Sequence, residues 1–147
     1  MRIAGVETCS FVNGEGCRYV VFVQGCKHHC KGCQNPDTWA FDGGREVPVE
    51  DIVADIKKHK FIDGITLSGG DPYYQQRECK KLLALLPDMN VWIYTGFEWN
   101  RIKSLPLTKL ADTVVTGKFK EEMKCEDKMY GSSNQEIHHP KVVSENG

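Results

Sequence analysis

Four short runs rich in β-branched and aromatic residues, each closed by glycine, limit the folds open to this chain. They cover residues 18–24, 64–67, 91–94 and 112–116, and they end at Gly25, Gly69-Gly70, Gly96 and Gly117. Runs of this kind read as buried strands. Helical patterns lie between them. Val49, Ile52, Val53 and Ile56 form an apolar stripe after Pro48, and Cys79, Leu82, Leu83 and Leu86 form another within residues 74–86, which Pro87 ends. Residues 100–105 make a shorter helical segment. Alternating strands and helices imply parallel strands with crossover helices, an α/β fold. Ligands in such folds gather at the carboxyl ends of the strands, so the four glycine loops are expected at one rim. The first fourteen residues read as short extended segments with a turn at Asn13-Gly14.

At 147 residues the chain fits one domain, spanning residues 1–147. Nineteen basic residues against twenty acidic ones leave a net charge of −1, which gives no general pull toward nucleic acid or membrane. Residues 1–6 carry one basic residue and no apolar core of signal-peptide length. No run approaches the ~18 apolar residues of a membrane span. The expected location is the cytoplasm, where thiols stay reduced. Seven cysteines is an odd count, which also speaks against a disulfide framework.

Three of the cysteines, Cys26, Cys30 and Cys33, crowd into eight residues. Clustered thiolates in a reducing compartment point to a soft metal centre, zinc or iron–sulfur. Structural zinc usually takes four ligands, and His28, His29 or a distant cysteine would have to complete such a site. A cubane held by three cysteines instead leaves one iron open to a substrate or cofactor, whereas electron-carrying ferredoxin clusters use four. Lys27 and Lys31 favour the thiolate form. Cys79 belongs to the apolar face of a helix, while Cys9, Cys17 and Cys125 read as isolated thiols that bind no metal. His28 and His29 read as exposed or as donors to cluster sulfurs, and His138-His139 as surface residues.

The cysteine spacing resembles that of the radical S-adenosylmethionine superfamily. Longer patches bring it close to one branch. They are Asn13-Gly-Glu-Gly-Cys-Arg18, Gly25-Cys-Lys-His-His-Cys-Lys-Gly-Cys-Gln-Asn-Pro-Asp-Thr-Trp39, Ser68-Gly-Gly-Asp-Pro72, Gly117-Lys-Phe119 and Gly131-Ser-Ser-Asn-Gln135. Together they resemble the glycyl-radical activases of anaerobic ribonucleoside-triphosphate reductase, over almost the whole chain. The resemblance implies a [4Fe–4S] cluster on Cys26, Cys30 and Cys33, with S-adenosylmethionine chelating the open iron. It implies reductive cleavage of that cofactor to a 5′-deoxyadenosyl radical, which takes hydrogen from a glycine of the reductase. The implied partners are the large subunit of the reductase and an external reductant such as flavodoxin, with no nucleic acid and no membrane.

The implied fold is a shortened, open partial (βα) barrel with mostly parallel strands. A full eight-stranded barrel needs about 250 residues. Gly69, Gly70 and Asp71 match the motif that holds the methionine amino group. Asp71 stands where many members have glutamate, and its shorter reach shifts weight to a backbone carbonyl. Thr95 is placed to meet the ribose or carboxylate of the cofactor, or else simply to form a Thr-Gly turn. Gly117-Lys118-Phe119 is placed to bound the adenine or the substrate glycine. Thr116 stands where related sequences often have an acid, and Gly32 where many have an aromatic residue. Trp39 reads as core or cluster shielding, and Arg18 as a surface ion-pair former. No side chain is read as a catalytic acid or base. Two other readings remain: a radical enzyme acting on a small molecule, and an iron–sulfur or zinc-binding module without catalysis.

Overall fold

The computed structural model describes residues 1–11, 14–26, 40–41, 43–118 and 134–140. Cys30, Cys33, His28, His29, Gly32, Trp39, Phe119 and Cys125 lie outside the described residues.

The described strands form one sheet. In chain order they are β1 (Arg2–Ser10), β2 (Arg18–Val23), β3 (Arg45–Glu46), β4 (Gly64–Gly69), β5 (Asn90–Tyr94), β6 (Thr113–Thr116) and β7 (Glu136–His138). Their order across the sheet is β3-β1-β2-β4-β5-β6-β7, which is linear, so the sheet is open and not a closed barrel. β2, β4, β5 and β6 run parallel, with Val21 opposite Leu67, Ile65 opposite Val91 and Ile93 opposite Val114. These are the four strands expected from the sequence. β1, β3 and β7 flank them antiparallel, so the fold is α/β with a mixed sheet.

Helix α1 (Val49–Lys58) buries the predicted stripe Val49, Ile52, Val53 and Ile56. Helix α2 (Gln76–Ala84) buries Cys79, Leu82 and Leu83. The expected helix over 74–86 is preceded by a 3-10 turn at Pro72–Gln75, because the Asp71 side chain accepts the Tyr73 N–H and Pro72 fixes the first position. Two one-turn helices, α3 (Trp99–Ile102) and α4 (Pro106–Lys109), replace the single segment expected at 100–105, since Pro106 begins a new turn. The core joins Val21, Ile65, Leu67, Ile93 and Val114 of the sheet to these helix faces. Burial pushes the Cys79 thiol well above its ordinary pKa, so it behaves as a small core hydrophobe. Among the described residues no helix is long and apolar enough to cross a membrane.

Three expectations from the sequence are corrected here. Arg18 is not a surface ion-pair former: it is only 1% exposed. Its Nε donates to Thr66 Oγ1 at 2.8 Å, and its terminal nitrogens donate to the carbonyls of Glu15, Ile65 and Asn90 at 3.0, 2.8 and 3.0 Å. Its guanidinium also lies 5.6 Å from the Trp92 ring centroid. Burial lowers its pKa, while Tyr94, Asp112 and Asp63 pull the other way. Cys9 and Cys17 are not isolated thiols. They form a disulfide across the β1–β2 pair, with Cα atoms 5.2 Å apart. His138 is not a plain surface residue: it is half-buried and stacks on Trp99 with centroids 4.1 Å apart, whereas His139 is exposed as expected, with its Nδ1 3.1 Å from Thr113 Oγ1.

Candidate functional site

The carboxyl ends of β2, β4, β5 and β6 meet at one rim, and backbone contacts tie them together. Beyond β2 the chain passes through Gly25, at φ 109°, to Cys26, a buried thiol outside any disulfide. The Gly70 N–H donates to Val23 O at 2.8 Å and the Asp71 N–H to Gly25 O at 2.9 Å. These contacts explain both glycines after β4. Gly69 sits at φ 95°, and a Cβ there would fall 2.7 Å from the Val23 N and O. A Cβ on Gly70 would collide with the Gly25 carbonyl. Residues 23–25, just ahead of Cys26, therefore rest backbone to backbone on the Gly69-Gly70 turn.

Asp71 extends the tie to β5. Its side chain has no solvent exposure. The Thr95 hydroxyl lies 2.9 and 2.8 Å from its two oxygens and donates to them, the Gly96 N–H donates at 2.9 Å, and the Tyr73 N–H at 3.1 Å. Thr95 Oγ1 in turn accepts the Phe97 N–H at 3.1 Å. β6 joins through Thr95 N–H to Val115 O at 3.0 Å and Gly117 N–H to Phe97 O at 3.1 Å. The side chains of Gln135 and Asn134 donate to the carbonyls of Gly117 and Lys118 at 2.9 and 3.0 Å. Thr116 is buried at the end of β6 and supplies no carboxylate there.

The base of the cysteine loop is closed as well. The Gln24 side chain donates to Ala40 O at 2.7 Å, linking the residues on either side of the loop. Gln75 donates to Gln24 O and Arg2 O at 3.0 and 2.7 Å, and accepts the Arg2 N–H at 2.8 Å. Phe41 covers Gly25 and meets Tyr74 edge-on at 5.4 Å, and Tyr74 meets Phe97 at 5.5 Å. An aromatic border thus runs along the rim.

Cys26, Gly69, Gly70, Asp71 and Thr95 are therefore brought together, while Cys30 and Cys33 lie outside the described residues. Among the described residues, distant cysteines do not supplement the set. Cys79 is held in the core 3.7 Å from Pro72 O, and the Cys9–Cys17 disulfide lies at the amino ends of the strands. Gln24 and Gln75 were missed from the sequence. Their signal is only proximity to motifs: Gln24 precedes Gly25-Cys26 and Gln75 follows Ser68-Gly-Gly-Asp-Pro72.

A buried thiol at the carboxyl rim, just beyond a backbone segment fixed by hydrogen bonds, is a donor of the kind a soft metal centre uses. Comparison with known proteins gives the same class: residues 12–138 match the family model described as a 4Fe-4S single cluster domain. Among curated proteins, the anaerobic ribonucleoside-triphosphate reductase-activating protein of Enterobacteria phage T4 is 37% identical, aligned over 93% of each chain. Its counterpart from Salmonella typhi is 35% identical over 95% of this chain and 99% of its own. That of Escherichia coli K12 is 33% identical over 87% and 92%. The chain belongs to the family of anaerobic ribonucleoside-triphosphate reductase-activating proteins.

Proposed function

We propose that this chain activates an anaerobic ribonucleoside-triphosphate reductase by reductive cleavage of S-adenosylmethionine at a [4Fe–4S] cluster on Cys26, Cys30 and Cys33, the 5′-deoxyadenosyl radical then taking hydrogen from a glycine of the reductase. Family membership over nearly the whole chain supports this reading. The observation that carries it is the convergence of Cys26 with Gly69-Gly70, Asp71 and Thr95 at one rim. The open sheet is read as a shortened radical-SAM-type partial barrel, working as one domain over residues 1–147 in the cytoplasm. An external reductant such as flavodoxin supplies the electron.

The chain's own residues bind and orient in this scheme. Cys26 offers a soft donor from a position fixed by the Gly25–Asp71 and Gln24–Ala40 bonds. Gly69-Gly70 lets a ligand approach backbone groups that a side chain would cover. Asp71 and Thr95 are already bonded to each other, so their part is to hold the Gly69–Asp71 and Thr95–Gly96 backbone in place for the methionine and ribose groups. Cofactors carry the hard chemistry while the protein positions them.

The test is anaerobic. Reconstituted, reduced protein is mixed with S-adenosylmethionine and the reductase, and the electron spin resonance spectrum is recorded. A glycine-centred doublet is expected. Cofactor cleavage without that doublet refutes the activase reading and favours a small-molecule substrate. Cys30→Ala is expected to abolish cleavage altogether, and wild-type turnover by that variant refutes the ligand set.

A further inference from the structure

We propose that Cys9 and Cys17 form a reversible two-electron redox site, reduced by a small dithiol, at the end of the sheet opposite the cysteine loop. Cys17 immediately precedes β2 and Cys26 lies just beyond its other end. At ~3.3 Å per residue, the strand separates the two places by roughly 20 Å.

The pair is reachable. Cys9 is exposed and Cys17 half-buried. Both line a cavity of about 340 Å³ together with Lys58, His59, Lys60 and Phe61. Cationic neighbours favour the thiolate, the form that attacks and leaves in disulfide exchange. Phe61 is 93% exposed at the edge of the same cavity and gives an approaching reductant an apolar contact.

The fold around the pair does not depend on the bond. The Cys17 N–H donates to Asp63 Oδ2 at 2.7 Å, and the Asp63 N–H donates to Cys17 O at 2.7 Å. Ser10 pairs with Arg18 one residue beyond both cysteines. These contacts keep the two thiols side by side after reduction, ready to re-form the bond.

The exchange balances. A thiolate of the dithiol attacks one sulfur, forming a mixed disulfide and releasing the other cysteine as thiolate. The second thiol of the reagent then displaces the remaining cysteine. Cys9 and Cys17 gain two electrons and two protons, and the dithiol leaves as a cyclic disulfide.

The full chain is equilibrated without oxygen in glutathione and dithiothreitol buffers of graded poise, quenched with acid, alkylated and digested for mass spectrometry. The expected result is one cooperative step: a Cys9–Cys17 crosslink in the oxidising buffers and two alkylated cysteines in the reducing ones, with unchanged circular dichroism. Tryptic cleavage at Arg2 and Arg18 leaves Cys9 and Cys17 on one peptide, and the cysteines at 26, 30 and 33 fall on others and do not confuse the reading. Independent labelling of the two, a bond to any other cysteine, or a crosslink that survives excess dithiothreitol in the native protein overturns the proposal. Cys17→Ser is expected to leave Cys9 alkylated in the reducing buffers and alkylated or capped by glutathione in the oxidising ones, never in an internal bond, and Cys9→Ser makes the reciprocal test should the first variant not fold. The Lys58→Gln, Lys60→Gln double variant is expected to slow alkylation of the reduced pair at neutral pH by ~3-fold or more. An unchanged rate overturns the part assigned to the cations.

Discussion

Thr95→Val removes one hydroxyl from the rim and keeps the shape of the side chain. Thr95 is 5% exposed and Asp71 not exposed at all, so water does not replace what is lost. The hydroxyl donates to a carboxylate whose oxygens lie at 2.9 and 2.8 Å, and it accepts the Phe97 N–H at 3.1 Å. A hydrogen bond to a charged group is worth about 1.5–3 kcal/mol and an ordinary one about 1 kcal/mol. The variant should therefore lose about 2.5–4 kcal/mol, a large part of the 5–15 kcal/mol typical of a whole domain. With a urea slope of ~2 kcal/mol per molar, the unfolding midpoint falls by about 1–2 M. Thr95→Ser keeps the hydroxyl and should recover most of the loss. In a double-mutant cycle, Thr95→Val and Asp71→Asn should couple by ~1 kcal/mol or more, since the two side chains share the bond. A midpoint shift below ~0.3 M for Thr95→Val, with Thr95→Ser no different, refutes the reasoning. Weakened binding of S-adenosylmethionine without any stability loss would then make Thr95 a direct ligand instead.

Two further outcomes test the fold. Arg18→Lys replaces a fork that reaches four acceptors with a single ammonium, and should lose about 2–4 kcal/mol in a thermal melt followed by circular dichroism; a loss under ~1 kcal/mol refutes the buried-anchor reading. Burial on Trp99 lowers the His138 pKa from its ordinary 6.5, with Glu136 at 3.4 Å opposing the shift. The unfolded ring takes its proton near 6.5 while the folded ring still resists it, so this contribution to stability is complete above 6.5 and is lost as pH falls toward the folded pKa. The His138 ring resonances should titrate with a midpoint below 6.5 by NMR; a midpoint at or above that value refutes the stacking argument.

The four parallel strands were legible because burial on both faces makes each a continuous apolar run. β1 was not. Its nine residues alternate irregularly between exposed and buried, and its pairing with β2 shifts register twice, so it carries no clean period. β3 and β7 are short and hold charged residues, as edge strands do. At the site, the glycines were legible because backbone contact excludes every other residue type. The Asp71–Thr95 bond spans 24 residues, and no local pattern announces such a contact. Arg18 was misread for the same reason: its acceptors come from β4, β5 and the turn before β2, and only the folded sheet gathers them. The Cys9–Cys17 pair depends on the β1–β2 alignment, which extended segments alone do not specify, so the disulfide was not foreseen.

Arg18 and Asp71 occupy opposite ends of the same parallel strands, and that placement has a physical reason. Antiparallel neighbours are tied by the turn that joins them. Parallel neighbours are joined only through distant crossovers, so nothing in the connectivity holds their ends in register. A buried charge surrounded by neutral donors or acceptors does so. Arg18 gathers the amino ends of β4 and β5 through Ile65, Thr66 and Asn90. Asp71 gathers the carboxyl ends through Thr95 and Gly96, while its own N–H reaches back to Gly25 beyond β2. Removing one partner leaves a buried charge short of a bond, and that penalty is what makes each tie stiff. The loop that starts at Cys26 hangs from the second tie and from the Gln24–Ala40 bond. Its base is thus fixed by the protein's own hydrogen bonds, as a site built for positioning requires.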